Sequence, residues 1–165
     1  IIMQLDEVDL KILKQLQQDG KMTNVSLAKS IDISPPPTLE RVKKLEKSGI
    51  IKKYVALVEP STVGIGMHSF VEVKLIKHSK EAVTSFFEAI QKLEEIMECH
   101  HVTGDADFLL KIAVKDISAF EDLVLHELTA LPHVANLKTM VVLSTVKNET
   151  AYNLKGVNYE ERKRT

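Results

Sequence analysis

The chain is predicted to be an α+β protein, an N-terminal winged helix-turn-helix domain followed by a C-terminal ferredoxin-like βαββαβ domain. Three observations predict it. Residues 24–53 read as two short helices around a tight break, the second with a basic face. After Pro60, Gly64 and Gly66 interrupt the pattern, strands and helices follow in the order β-α-β-β-α-β. Charge divides the same way: residues 1–58 hold 10 Lys/Arg and 7 Asp/Glu, net +3; residues 59–149 hold 8 and 14, net −6; residues 150–165 hold 4 and 2, net +2. The whole-chain charge of −1 hides a basic module suited to nucleic acid and an acidic module suited to another partner.

These shifts set the boundaries: a winged helix-turn-helix domain over 1–58, a linker over 59–66, a ferredoxin-like domain over 67–149 and a C-terminal tail over 150–165. With 165 residues, 44% hydrophobic and 27% charged, the composition is globular. No apolar run approaches the ~18 residues of a membrane helix. The start lacks the basic-then-apolar pattern of a signal peptide, and Ile1-Ile2 before Met3 carries no weight. The single Cys99 excludes an internal disulfide and fits a reducing compartment, so a cytoplasmic location without a membrane partner is expected.

The first helix opens at Leu5-Asp6-Glu7-Val8-Asp9 with Asp6 as N-cap and acidic residues in its first turn. It buries Val8, Ile12, Leu13 and Leu16 and stops at Asp19-Gly20. The second takes Asn24 as N-cap, uses Val25, Leu27, Ala28 and Ile31 as apolar positions, and breaks at Asp32-Ile33. The third follows Ser34, has Leu39, Val42 and Leu45 as its core stripe, and ends at Ser48-Gly49. Ile50–Val58, rich in β-branched residues, is an extended wing or exit strand. In the second domain, strands are expected over Ser69–Ile76, Ile96–Thr103, Asp107–Val114 and Leu137–Val146. Helices are expected over Glu81–Leu93, with Val83, Phe86, Phe87 and Ile90 inward, and over Ile117–Leu131, with Phe120, Leu123, Val124 and Leu128 inward.

The third helix of such a unit enters a DNA major groove. Pro37, Glu40, Arg41, Lys44 and Lys47 fall on or near the side opposite its core stripe. Arg41 suits a forked contact to guanine or a phosphate clamp. Lys43, Lys44, Lys47, Lys52 and Lys53 suit phosphates, which give affinity rather than sequence choice. With Ser34 and Thr38 at the helix start, these are the candidate DNA-binding residues. A solvated helix face is the plain alternative for the same charges.

Pro35, Pro36 and Pro37 refine the reading. A serine N-cap ordinarily bonds the second or third helical N–H, and proline has none. The regular helix is therefore expected to start at Pro36 or Pro37, with the Ser34 hydroxyl free to bond a DNA phosphate.

Both faces of the second domain's sheet read as apolar. Phe108, Leu110, Ile112 and Val114 share one face of the third strand, and Leu109 and Ala113 the other. Leu137, Val141 and Leu143 oppose Met140, Val142 and Val146 in the last strand. Helices cover one face, and a second copy of the chain is expected to cover the other. The turn Thr103-Gly104-Asp105-Ala106-Asp107 offers carboxylates beside free N–H groups, which are the needs of an amino-acid ligand. A plain hairpin turn has the same composition.

Metal and catalytic sites find no support. His100 and His101 are adjacent on a strand and point to opposite faces. His68, His78, His126 and His133 are isolated, and no metal-binding or nucleophile motif occurs. No cofactor is called for.

The chain resembles the leucine-responsive regulatory protein/AsnC (feast/famine) family of transcription regulators from Leu5-Asp6 to Leu154. The marks are Leu5-Asp6, Asp9, Ile12-Leu13 and Leu16-Gln17-Gln18-Asp19-Gly20-Lys21, then Leu27-Ala28, Ile33-Ser34-Pro35, Arg41-Val42-Lys43-Lys44-Leu45-Glu46 and Gly49-Ile50-Ile51. In the second domain they are Glu98-Cys99, Thr103-Gly104-Asp105-Ala106-Asp107-Phe108-Leu109-Leu110 and Leu131-Pro132. The resemblance implies a DNA-binding regulator whose second domain, effector-binding and oligomerising, pairs into dimers and assembles toward octamers. It implies an amino acid bound between dimers near Gly104-Asp105-Ala106-Asp107. Pro36, the middle one of three consecutive prolines, departs from the family pattern, where another small residue is usual, and the Lys155–Thr165 tail runs past the usual end as a mobile surface segment. Two other functions share the scaffold: a tetrapyrrole decarboxylase-like enzyme using His100, His101 or His133, and an architectural DNA-binding protein with little sequence choice.

Overall fold

The structure, a computed structural model, describes residues 5–155. It divides into two compact units, one built from the chain up to Leu57 and from Lys147 onward, the other from Val58 to Val146. The expectations for Ile1-Ile2 and for the tail beyond Lys155 lie outside the described residues.

The first unit packs α1 (Glu7–Gln18), α2 (Asn24–Ser30) and α3 (Pro35–Lys47) around Ile12, Leu13, Leu27, Ile31 and Leu45. Burying one such side chain contributes ~1.5–3 kcal/mol. α1 starts as expected: the Asp6 carboxylate accepts from the Asp9 N–H at 2.9 Å, and the Asp9 carboxylate accepts from the Asp6 N–H at 3.2 Å. α2 is capped by Thr23, whose hydroxyl accepts from the Ser26 N–H at 3.1 Å, and not by Asn24. Asn24 is the first helical residue, and its amide donates to the Pro35 carbonyl at 2.8 Å, fastening α2 to the start of α3. Val25, one of the apolar positions of α2, is exposed. Asp32 forms the break in a left-handed conformation, φ 61°.

α3 starts at Pro35, earlier than expected. The first three helical N–H groups lack intrahelical acceptors, so three prolines there remove no helical bond. Its buried face keeps Val42 and Leu45 but differs in the first turn. Leu39 is 40% exposed, while Thr38 is fully buried with its hydroxyl donating to the Ser34 carbonyl at 3.0 Å. Ile50 and Ile51 close the core, and residues 52–58 form no strand. Tyr54 lies over Gly20 and donates to the Glu46 carboxylate at 2.9 Å. Burial and then Glu46 push its phenol up to about 12. The chain returns to this unit near its end, where the Gln17 side-chain amide pairs with both backbone groups of Tyr152, at 2.7 and 3.3 Å, and Leu154 packs on the core.

The second unit holds a four-stranded antiparallel sheet, order β2-β3-β1-β4, with β1 Met67–Leu75, β2 Ile96–His101, β3 Phe108–Val114 and β4 Val134–Val141. This is the ferredoxin-like order. α4 (Lys80–Ile90) and α5 (Ile117–Leu123, continued by a π-helical stretch Val124–Leu128) cover one face. Ala82, Phe86 and Ile90 point inward from α4, whereas Phe87 is 39% exposed. Phe86 stacks on Phe108 at 4.8 Å. At Gly66 any Cβ would sit 2.7 Å from the Lys115 carbonyl oxygen, so glycine is required where the chain enters β1. β2 stops at His101, short of Thr103, and β4 starts three residues earlier and ends five residues earlier than expected. It begins after His133 turns left-handed and ends at Val141, opposite Ser69, leaving Leu143 and Val146 outside the sheet and fully open.

The outer sheet face is less apolar than expected. Phe70, Leu109, Ala113 and Met140 share it with two ion-paired groups, Lys138–Glu72 at 3.4 Å and Lys111–Glu98–His100 at 2.8 and 2.9 Å. Period-two counting assigns Lys111 to that face with Leu109 and Ala113.

The fastening of α1 to α3 is charged. Arg41 Nη1 donates to the Asp6 carboxylate at 2.7 Å and to the Asp9 carboxylate at 2.8 Å, and Asp9 is buried. Burial pushes the Asp6 carboxyl up, but the Asp9 N–H and the Arg41 guanidinium outweigh it and hold it below its ordinary value. A carboxyl lowered in the folded state stabilises at neutral pH, and that contribution is lost as pH falls through the lowered value. Arg41→Gln is expected to lower stability by roughly 1–3 kcal/mol at pH 7 and to weaken the loss of stability below about pH 4. Urea unfolding followed by tyrosine fluorescence checks this, since no tyrosine lies between Val58 and Val146 and tryptophan is absent.

Candidate functional site

The groups on α3 that can meet a nucleic acid are fewer than its sequence offers. Ser34, Pro37 and Glu40 are exposed, as are Lys43, Lys44, Lys47, Lys52 and Lys53. Lys43 is 3.3 Å from Glu40, an exposed pair worth little. Among the described residues Lys44, Lys47, Lys52 and Lys53 make no ion pair, which leaves four cations clustered on and just after one helix. Two expected members are engaged elsewhere. Thr38 is buried and bonded within its own helix, so it offers no hydroxyl to DNA. Arg41 is held by Asp6 and Asp9, which fixes its guanidinium against α1. The Ser34 hydroxyl makes no capping bond, as expected from prolines at the positions it would cap.

The Thr103–Asp107 turn lies in the second unit and joins β2 to β3. Gly104 adopts φ 122°, a conformation a side chain would strain. Thr103, Gly104 and Asp105 are exposed and Ala106 half-buried. The carboxylates differ. Asp107 accepts from the Leu75 N–H at 2.8 Å and bonds His78 Nε2 at 2.7 Å. The Leu75 N–H, ahead of His78, holds this carboxyl low against the opposing effect of burial. Asp107 thus fastens the end of β1 to the start of β3, and its two oxygens are occupied. Asp105 has no bonded partner among the described residues.

Three functional features were missed in the sequence. The Asp6/Asp9 claim on Arg41 joins positions more than thirty residues apart, and only the capping-box spacing hinted that both acids sit at one helix start. Asn24 as an α2–α3 fastener, and His78 as a partner of Asp107, leave no periodic signal. Among the described residues, no group of three His, Cys, Asp or Glu is placed to hold a metal ion. Burial pushes the Cys99 thiol up, away from the reactive thiolate.

Comparison with known proteins bears on both units. A winged helix-turn-helix DNA-binding family matches residues 5–52, and the Lrp/AsnC ligand binding domain matches residues 68–152. The chain is 43% identical over 151 residues to the leucine-responsive regulatory proteins of Klebsiella pneumoniae and of Escherichia coli K12, covering 92% of each chain and 92% of this one. A transcriptional regulator of Neisseria meningitidis, solved as a complex with L-Met, superposes with TM-score 0.88 at 36% identity, covering 92% of this chain and 97% of that one. LrpC of Bacillus subtilis superposes with TM-score 0.76 at 32% identity, covering 88% and 99%.

Asp107→Ala is expected to destabilise the second unit by roughly 1–3 kcal/mol, because it orphans the Leu75 N–H. Asp105→Ala is expected to change stability by less than about 0.5 kcal/mol. Thermal unfolding followed by circular dichroism separates the two.

Proposed function

We propose a function from this premise: the chain belongs to the Lrp/AsnC family of transcriptional regulators. It is a sequence-specific DNA-binding regulator modulated by an amino acid or related metabolite, bound between dimers of the second domain. One observation carries the reading. The basic helix-turn-helix leaves Lys44, Lys47, Lys52 and Lys53 exposed and unpaired among the described residues, while the acidic domain joined to it carries an open glycine turn with an uncommitted carboxylate at Asp105. The four lysines neutralise phosphates, and the free Ser34 hydroxyl adds a phosphate bond.

At the turn, Asp105 takes the ligand's ammonium, and backbone N–H groups beside Gly104 take its carboxylate, with Thr103 and Ala106 flanking. Asp107 holds the turn's shape. The L-Met complex of the Neisseria regulator supports this ligand class. A second copy covers the apolar part of the outer sheet face around Phe70 and Leu109, and dimers assemble further toward an octamer. Ligand changes DNA occupancy by binding one assembly state more tightly than the other. This work is done in the cytoplasm, and no specific observation favours the tetrapyrrole-decarboxylase alternative.

The test is a salt titration of DNA binding with and without each of the twenty amino acids. Lys44→Ala and Lys47→Ala are each expected to lower the slope of log affinity against log salt by about 0.9. At least one amino acid is expected to shift both DNA affinity and sedimentation in wild type and neither in Asp105→Ala. No DNA binding at low salt contradicts the regulator reading, and indifference to every amino acid contradicts the effector reading.

A further inference from the structure

The three prolines at the start of α3 leave the DNA-reading helix with a chemically unusual tip. An ordinary helix presents four N–H groups at its N-terminus without intrahelical acceptors. Here Pro35, Pro36 and Pro37 occupy the first three helical positions and have none. The next N–H, that of Thr38, is taken by the Ser34 carbonyl at 3.4 Å. The Pro35 carbonyl already accepts from Asn24. All three prolines are exposed. The tip is therefore a surface of saturated ring carbons, and apart from Ser34 it has nothing with which to bond a base edge. The only arginine of α3, the residue best suited to guanine, has its orientation fixed by Asp6 and Asp9 on α1.

In a helix-turn-helix complex the N-terminal residues of the recognition helix face the base edges. The major groove offers one apolar group, the thymine C5-methyl; the other readable features are hydrogen-bond donors and acceptors. A donor-free ring surface gains from covering a methyl and loses from covering an amino group or carbonyl whose water it strips without replacement. We infer that Pro36 and Pro37 are specificity-determining residues that select thymine in the DNA half-site by packing on its methyl group. This rests on the DNA-binding reading and goes beyond it, since it names what the helix start reads.

The test uses the full-length protein and duplexes recovered from a random library by repeated selection on it. These are re-synthesised with deoxyuridine for thymidine at one position at a time, which removes the methyl and nothing else. Wild type is expected to lose about two- to fourfold in affinity at one or more thymines of each half-site, the weight of one methyl-sized group. In Pro36→Ala/Pro37→Ala the thymine-to-uracil ratio at those positions is expected to fall to about one while binding remains salt-dependent. Pro36→Ser alone, should the double variant fold poorly by circular dichroism, is expected to reduce the ratio in the same direction. Indifference of wild type to uracil at every position overturns the inference alone. So does a ratio unchanged in the variants, which assigns the methyl contact elsewhere. Failure of the library to bind at low salt overturns the inference together with the DNA-binding reading.

Discussion

One guanidinium nitrogen holds the first unit in its working form. Arg41 Nη1 reaches Asp6 and Asp9 at 2.7 and 2.8 Å, and those two carboxylates also close the capping box that starts α1. The start of one helix and the middle of another are thus joined by a single set of charge-assisted bonds. Asp9 is buried, so its charge needs that partner: a buried carboxylate without one is far costlier than the pair is stabilising. Asn24 supplies a second fastening, from the start of α2 to the first carbonyl of α3. Together they fix the angle at which α3 projects from its own unit, and with it the direction of every lysine on α3.

That constraint divides the labour along α3. Arginine, the side chain with the strongest capacity for base recognition, is spent on holding the fold. Thr38 is spent on the core. What remains outward is a cluster of lysines, side chains suited to phosphates rather than to sequence, and a proline tip that cannot donate a hydrogen bond. Sequence choice in such a surface comes from shape and apolar contact more than from hydrogen-bond readout. The same economy appears in the second unit, where Asp107 holds the sheet and Asp105 has no bonded partner among the described residues.

Much of this was legible in the sequence. Period-two and period-3.6 patterns gave the element order, because burial of one face imposes them locally. The capping box of α1 and the uncapped Ser34 follow from chemistry within four residues. The errors have a common cause. Leu39 and Thr38 exchanged roles because one helical step decides which of two adjacent residues faces the core, and a threonine can satisfy its hydroxyl on the preceding turn. The boundaries of β4 depended on where β1 ended, which no local pattern in 134–146 encodes. The ion pairs of Arg41 leave no mark in the pattern around it because its acceptors lie in another helix. Asp105 and Asp107, two positions apart in one turn, look equivalent until β1 and His78 are placed beside one of them.

The most direct measurement is a double-mutant cycle in DNA affinity between Asp9→Asn and Arg41→Gln, at temperatures where all four proteins are folded. If Arg41 acts by holding α1 to α3, each single variant weakens binding by a similar factor, and the double variant is no weaker than either, because all three lose one shared unit. If Arg41 itself contacts the bases, its substitution costs clearly more than that of Asp9, and the two effects multiply; that result would contradict the clamp.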